Sequence, residues 1–320
     1  MELNLSHQGL KKLPSDFFQQ HKDLRKLYVS HCDTLDELLP EIGQLHNLQE
    51  LDLGWNNLTT LPPEIGHLKN LRYLSIEGNE HSRTGYGPPG ENNLTALPPE
   101  IGQLENLQKL SLAENQLTAL PPEIGQLHNL QELDLRWNKL TALPPELGQL
   151  RNLQKLDLSD NQFTVLPPEI GQLHNLQELD LGWNKLTALP PEIGLLKNLQ
   201  KLDLIGNKLI TLPPQIRRLQ NLQELTLDYN NFTALPPEIA QLQKLEKISL
   251  MSKVPIQDLS ELANHPNPKL KVWAFVGVDL PRQYWTHLSQ WKAEWLLTEN
   301  NAKIRGVLSQ QINLQIEQTK

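Results

Sequence analysis

Residues 176–198 read "LQELDLGWNKLTALPPEIGLLKN", and close copies of this 23-residue unit open at Leu107, Leu130, Leu153, Leu199, Leu222 and Leu245. A fixed period in this range means one supersecondary unit stacked on copies of itself. The unit also fits at Leu48 and Leu71, and a degenerate copy starts at Leu24. The copy at Leu71 is 36 residues long, and removing Glu80–Asn92, "EHSRTGYGPPGEN", restores 23. Residues 80–92 are therefore an insertion loop at one defined point of an otherwise regular array.

Numbering the unit from its first leucine, positions one, four and six are apolar and the residues between them are polar. That alternation predicts a short strand with one face in a core. Position nine is Asn56, Asn79, Asn115, Asn138, Asn161, Asn184, Asn207 or Asn230, with Cys32 in the degenerate unit. A carboxamide there can satisfy turn backbone groups that would otherwise be buried unpaired. The rest, "LTALPPEIGQL", predicts an extended path set by two prolines, then about one helical turn through Pro-Glu-Ile that ends at glycine. One unit cannot bury its own leucines, but stacked units share a continuous core.

The repeated "LPPEIGQLxNLQxLDLxxNxLT" pattern closely resembles leucine-rich repeat proteins, in the 23-residue form found in bacterial members and in the Ras-group intracellular ones of plants and animals. The resemblance covers roughly residues 1–250. It implies an α/β, right-handed horseshoe solenoid, with a parallel β-sheet on the concave face and short helical turns on the convex face. It also implies protein binding on the concave side, with signal transduction as the setting, but no particular target.

Residues 251–320 depart from the repeat. Leu245, Ile248 and Leu250 still hold positions one, four and six, and Leu270, Trp273 and Phe275 show that spacing again. They read as closing repeats. Helices are then expected from Pro281, with Tyr284, Leu288, Trp291 and Trp295 on one face, and from Thr298, as an α-helical C-terminal cap. At the other end "ELNL" already reads as a strand.

Net charge is −8, which disfavours nucleic acid and anionic membrane surfaces. One cysteine excludes an internal disulfide framework and a four-thiolate zinc site, and it points to a reducing compartment. No basic-then-apolar leader and no 18-residue apolar run occurs, so the expected location is the cytoplasm. No GxxxxGK[ST] phosphate loop appears. Cys32, at the buried asparagine position, is a poor nucleophile. No catalytic residue, cofactor site or metal site is expected.

The concave surface can be written column by column. Position three alternates Lys109, Glu132, Lys155, Glu178, Lys201, Glu224, Lys247, with Glu50 and Tyr73 before them. Strands lie about 4.8 Å apart, so neighbours can pair, each pair worth only about 0.2–1 kcal/mol. Position five carries a run of four aspartates, Asp134, Asp157, Asp180 and Asp203. Stacked like charges repel, which marks either a site for a basic partner or a habit of the "LDL" motif. Position eight reads Trp55, Gly78, Glu114, Trp137, Asp160, Trp183, Gly206, Tyr229. The leucine core does not call for an aromatic there, and exposed tryptophan is the strongest compositional mark of an interface hot spot. The bland alternative is an indole lying flat over a small neighbour.

The candidate partner contacts are Trp55, Trp137, Trp183, Tyr229, Asp160 and the four position-five aspartates. Arg136 of "LDLRWN" and Arg83 and Tyr86 of the insertion complete the set. The expected function is a non-enzymatic, monomeric protein-interaction scaffold. The alternative is the recognition half of an enzyme or secreted effector, whose chemistry would lie in the tail or beyond the chain.

Overall fold

The structure is a computed structural model that describes residues 1–32, 34–78, 92–250, 265–267 and 270–273. Among these, twelve three-residue strands form one parallel sheet in strict chain order. They are β1 Glu2–Asn4, β2 Lys26–Tyr28, β3 Glu50–Asp52, β4 Tyr73–Ser75, β5 Lys109–Ser111 and β6 Glu132–Asp134, followed by β7 Lys155–Asp157, β8 Glu178–Asp180, β9 Lys201–Asp203, β10 Glu224–Thr226, β11 Lys247–Ser249 and β12 Lys271–Trp273. Each strand is positions three to five of a repeat, and equivalent positions pair: Glu178 with Lys201, Leu179 with Leu202, Asp180 with Asp203. Chain order and parallel pairing make every crossover the same, so the chain winds a right-handed solenoid. "ELNL" is its first rung, β1 on β2.

Opposite the sheet, each regular repeat makes a five-residue 3₁₀ turn such as Pro122–Gln126 or Pro168–Gln172. The proline before each turn is extended, as at Pro167 with φ −69° and ψ 146°. Two prolines and five residues leave no length for an α-helix, so the tighter turn wins. The first repeat differs: "SDFFQQ" forms a helix, α1, Ser15–Gln20, with Phe18 buried. Between sheet and turns the leucines form one core that runs from Leu13 to Leu270.

The glycine does not end the turn as expected; it lies inside it, and its φ is not left-handed. Its reason is proximity. A Cβ on Gly125 would stand 2.4 Å from the Glu146 carbonyl oxygen of the next repeat, and one on Gly194 2.5 Å from that of Gln215. Glycine at position nineteen lets successive convex turns close on one another.

The asparagines bind the stack. Asn161 donates from Nδ2 to the carbonyls of Leu135 (2.9 Å) in the preceding repeat and of Leu158 (3.2 Å) and Ser159 (3.1 Å) in its own, while Oδ1 accepts from the Leu140 N–H at 3.0 Å. The same pattern holds at Asn184, Asn207 and Asn230. Cys32 substitutes weakly: its thiol donates to the Leu5 carbonyl at 3.5 Å, and its N–H donates to Asn56 Oδ1.

Two corrections concern register. In the repeat that carries the insertion, the bridging asparagine is Asn92, which sequence reading put inside the loop. Asn92 bonds the Leu58 N–H and the carbonyls of Leu53 and Glu77. Asn79 and Asn92 are the same residue type at either end of a 13-residue insertion, so sequence alone cannot choose between them. In the last strand, Lys271 pairs with Lys247 and Val272 with Ile248. Position four is therefore Val272 and not Trp273, a one-residue slip in backbone register. The insertion's Arg83 and Tyr86 and the expected helices after Pro281 and Thr298 lie outside the described residues.

Replacing Asn161 by Ala removes the bridge and leaves backbone groups of two turns unpaired in the interior. Stability measured by urea unfolding should fall by about 1–3 kcal/mol; an unchanged midpoint would contradict the ladder. Deleting residues 79–91, which gives the same chain as deleting 80–92, joins Gly78 to Asn92. Because β4 already pairs with β5 across the insertion, the melting temperature should stay equal or rise, and marked unfolding would show that the loop is structural.

Candidate functional site

The concave face is an open trough of about 500 Å³, lined by positions three, four and five of successive repeats. Position three balances itself. Lys26 pairs with Glu50 at 2.9 Å, Lys109 with Glu132 at 2.9 Å, Lys155 with Glu178 at 3.2 Å and Lys247 with Glu224 at 2.6 Å. The column is thus a series of closed pairs, half exposed and of small energetic weight, with Lys201 between two of them.

Position five has a structural duty that the sequence pattern did not disclose. N–H groups at positions six and eight donate to the next repeat, as Leu181 does to the Asp203 carbonyl (2.9 Å) and Trp183 to that of Ile205 (2.6 Å). The N–H of position seven lies out of phase with that ladder. The aspartate takes it: Oδ1 of Asp52, Asp134, Asp157, Asp180 and Asp203 accepts from the N–H two residues on, at 2.8–3.1 Å. This is the physical content of "LDL", a local side-chain turn that spares one donor from water.

The same column is electrostatically uncomfortable. Burial, followed by the nearby charges of Asp157, Asp203 and Asp160, pushes Asp180 up to about 7, against the help of the Gly182 N–H. Burial pushes Asp134 up to about 6 although Arg136 opposes it, and it raises Asp203 as well. Arg136 Nε stands 3.5 Å from Asp134 Oδ2, so one end of the column carries a cation from the chain itself. Among the described residues no three His, Cys, Asp or Glu side chains converge as a metal site.

Position eight is left-handed outside the repeat that carries the insertion, where Gly78 is not. φ is 57° at Trp55, 60° at Glu114, 55° at Trp137, 53° at Asp160, 53° at Trp183, 68° at Gly206 and 55° at Tyr229. Glycine or aspartate meets this conformation readily, whereas a bulky side chain there is uncommon and strained by about 1–2 kcal/mol. Four of these positions nevertheless hold Trp or Tyr. Trp183 and Tyr229 are exposed, at 51% and 42%, while Trp55 and Trp137 are half-buried.

Local packing explains part of this. The Trp183 indole lies over Gly206, where a Cβ would stand 2.5 Å from its ring, and faces Tyr229 with centroids 6.0 Å apart and planes inclined by 28°. So the flat-cover geometry occurs, yet half the indole still meets solvent. At the other end the column continues into two residues that sequence reading missed. His7 and His31 are also left-handed (61° and 56°), with ring centroids 4.4 Å apart, and His31 packs on Trp55 at 4.1 Å. His31 is position eight of the Leu24 unit, and carrying the register one unit further back finds His7.

A second ladder was also missed. Asn129, Asn152, Asn175 and Asn198, at position twenty-three, each donate to a carbonyl one repeat back at 2.8–2.9 Å. It is exposed and tethers the convex-to-strand return.

Leucine-rich repeat family models match residues 24–80, 90–140, 152–173 and 169–265. A search of curated proteins finds no match. Among solved structures, a leucine-rich repeat protein of Leptospira interrogans is 39% identical over 93% of this chain and 78% of its own, with a TM-score of 0.72. The leucine-rich repeat ectodomain of the plant membrane receptor kinase GASSHO1/SCHENGEN3 of Arabidopsis thaliana was solved in complex with CASPARIAN STRIP INTEGRITY FACTOR 2. It is 23% identical over 88% of this chain and 42% of its own, with a TM-score of 0.55. The Drosophila Toll–Spatzle complex aligns at 22% identity over 86% and 37%, with a TM-score of 0.69. At those identities the last two share the fold alone.

The raised carboxyl of Asp180 generates a pH prediction. Its folded value, about 7, lies above the ordinary 3.9 of an unfolded chain. The folded state therefore binds the extra proton between about pH 4 and 7, and stability falls as pH rises through that window. Asp180→Asn keeps the acceptor for Gly182 and loses the charge. It should melt about 3 °C above wild type at pH 8 and together with it at pH 4; a lower melting temperature at pH 8 would refute the account.

Proposed function

The chain belongs to the leucine-rich repeat family, and on that premise we propose that it is a non-enzymatic protein-binding scaffold whose partner lies on the concave face and the position-eight rim. The observation that carries this reading is the choice of aromatic residues at a left-handed backbone position. Trp137, Trp183 and Tyr229 sit where Gly206 and Asp160 do the same backbone work without the strain. Backbone strain persists where it serves a purpose, and binding surfaces are where it collects.

The rungs of this rim are regular. Trp137, Asp160 and Trp183 occupy three successive repeats, each N–H donating to the position-seven carbonyl of the next. Rigid backbone beneath an exposed indole lowers the ordering entropy that binding would otherwise lose. Trp55 with His31 and His7 gives the N-terminal end a second aromatic cluster. Cys32, the single cysteine, is buried and free, which supports a reducing compartment such as the cytoplasm. Among the described residues no helix is long and apolar enough to cross a membrane.

The test separates strain from binding. In Trp137→Gly/Trp183→Gly the left-handed strain is relieved while rim contacts are lost, so stability should stay within about 1 kcal/mol of wild type. Affinity for the partner captured from the native cell extract should fall thirtyfold or more, about 2 kcal/mol for a central interface tryptophan. Undiminished binding by the double variant would reduce the indoles to covers for the strand ends.

A further inference from the structure

The concave surface distributes its charge unevenly. Its position-three lysines are largely engaged by glutamates of the same column, as Lys155 is by Glu178 and Lys247 by Glu224. The neighbouring position-five column runs acidic through three adjacent strands, at Asp157, Asp180 and Asp203. Each of these uses one carboxylate oxygen on an N–H of its own repeat, and all three line the trough. Three residues on from Asp180, at position eight of the same repeat, the exposed ring of Trp183 faces the exposed ring of Tyr229.

The chain contains its own example of what suits such a place. One rung before the run, the guanidinium of Arg136 reaches Asp134 Oδ2 at 3.5 Å, next in sequence to Trp137. Position seven, which supplies that arginine, is Ser159, Gly182 and Ile205 in the next three repeats. The acid recurs in all three and the aromatic in one, at Trp183, while the position-seven cation does not recur.

We infer that the segment of the partner held by this surface is basic, an arginine- or lysine-bearing stretch that lays its cationic heads along Asp157, Asp180 and Asp203 and against the faces of Trp183 and Tyr229. The inference rests on the concave-rim reading of the function and specifies the partner's chemistry. Carboxylates and aromatic faces both attract a guanidinium, and the planar group stacks on indole while it donates sideways to carboxylate. Burial, with the like charges of Asp157 and Asp203 adding to it, pushes the Asp180 carboxyl up, and a bound cation would oppose that push. Steering by net charge works in the same direction, since the chain carries −8.

The test uses the full chain and two fluorescent peptides of equal length, one alternating Arg with Ala and one alternating Glu with Ala, followed by anisotropy at low salt. The arginine peptide should bind and the glutamate peptide should not. The triple variant Asp157→Asn/Asp180→Asn/Asp203→Asn and the single variant Trp183→Ser should each weaken the arginine peptide about tenfold or more. The convex control Glu123→Gln/Glu146→Gln/Glu169→Gln removes the same charge from the opposite face and should change affinity less than twofold. Should the triple variant melt early, Asp180→Asn alone replaces it, with a smaller loss expected. Equal loss in the convex control, or no loss in Trp183→Ser, would overturn the inference by showing unspecific attraction to an acidic protein. A natural partner that loses affinity with Trp183→Ser but is indifferent to the aspartate changes would leave the scaffold reading standing and remove this one.

Discussion

Everything in this solenoid depends on a side-chain amide that stands in for a missing backbone partner. After its three-residue strand each repeat must turn away from the sheet, and the turn leaves carbonyls and N–H groups inside the leucine core. Asn161 and its equivalents answer both kinds, accepting from one turn and donating to two. Unpaired, such groups would each lose about 1–3 kcal/mol. The bridge also crosses between repeats, so one amide both closes its own turn and joins it to the one before. Cohesion is nearest-neighbour throughout, as a one-dimensional stack requires.

The same turn determines the surface. The residue before the asparagine position is left-handed at His7, His31, Trp55, Glu114, Trp137, Asp160, Trp183, Gly206 and Tyr229. It stands at the rim, outside the core, on a backbone rung that cannot relax without breaking the ladder. A side chain placed there is presented rigidly. Glycine and aspartate meet the conformation at least expense, and the chain instead places tryptophan or tyrosine at four such positions. Position five works likewise: aspartate takes the stray N–H of position seven, and repeating that role builds an acidic column through Asp157, Asp180 and Asp203. Scaffold chemistry and surface chemistry thus share their residues.

The solenoid was legible because its signal is repeated: leucines, asparagines and proline pairs recur at one period, and even the odd member Cys32 keeps its place. Strand positions and the convex turns followed directly. What stayed hidden has specific causes. The left-handed angle at position eight leaves no mark when Trp, Glu and Tyr occupy it, and only Gly206 and Asp160 hint at it. The capping duty of the position-five aspartates depends on which N–H lies out of phase with the ladder, a matter of three-dimensional register. The choice between Asn79 and Asn92 is invisible because the residues are identical. The slip at Lys271 arose because Leu270, Trp273 and Phe275 happen to mimic the leucine spacing. His7 and His31 were overlooked because the first rungs keep the geometry and little of the consensus.

The claim that the rim presents aromatics to a protein partner can be tested where it acts. A photo-crosslinking phenylalanine analogue introduced in place of Tyr229 puts the reactive ring on the rim, and the same analogue in place of Leu195, an exposed convex residue, is the control. Irradiation in the native extract, with mass spectrometry of the adducts, should give one dominant partner from the rim position and none of it from the convex one. The same partner crosslinking from Leu195 and not from Tyr229 would contradict the account and move the binding surface to the other face of the solenoid.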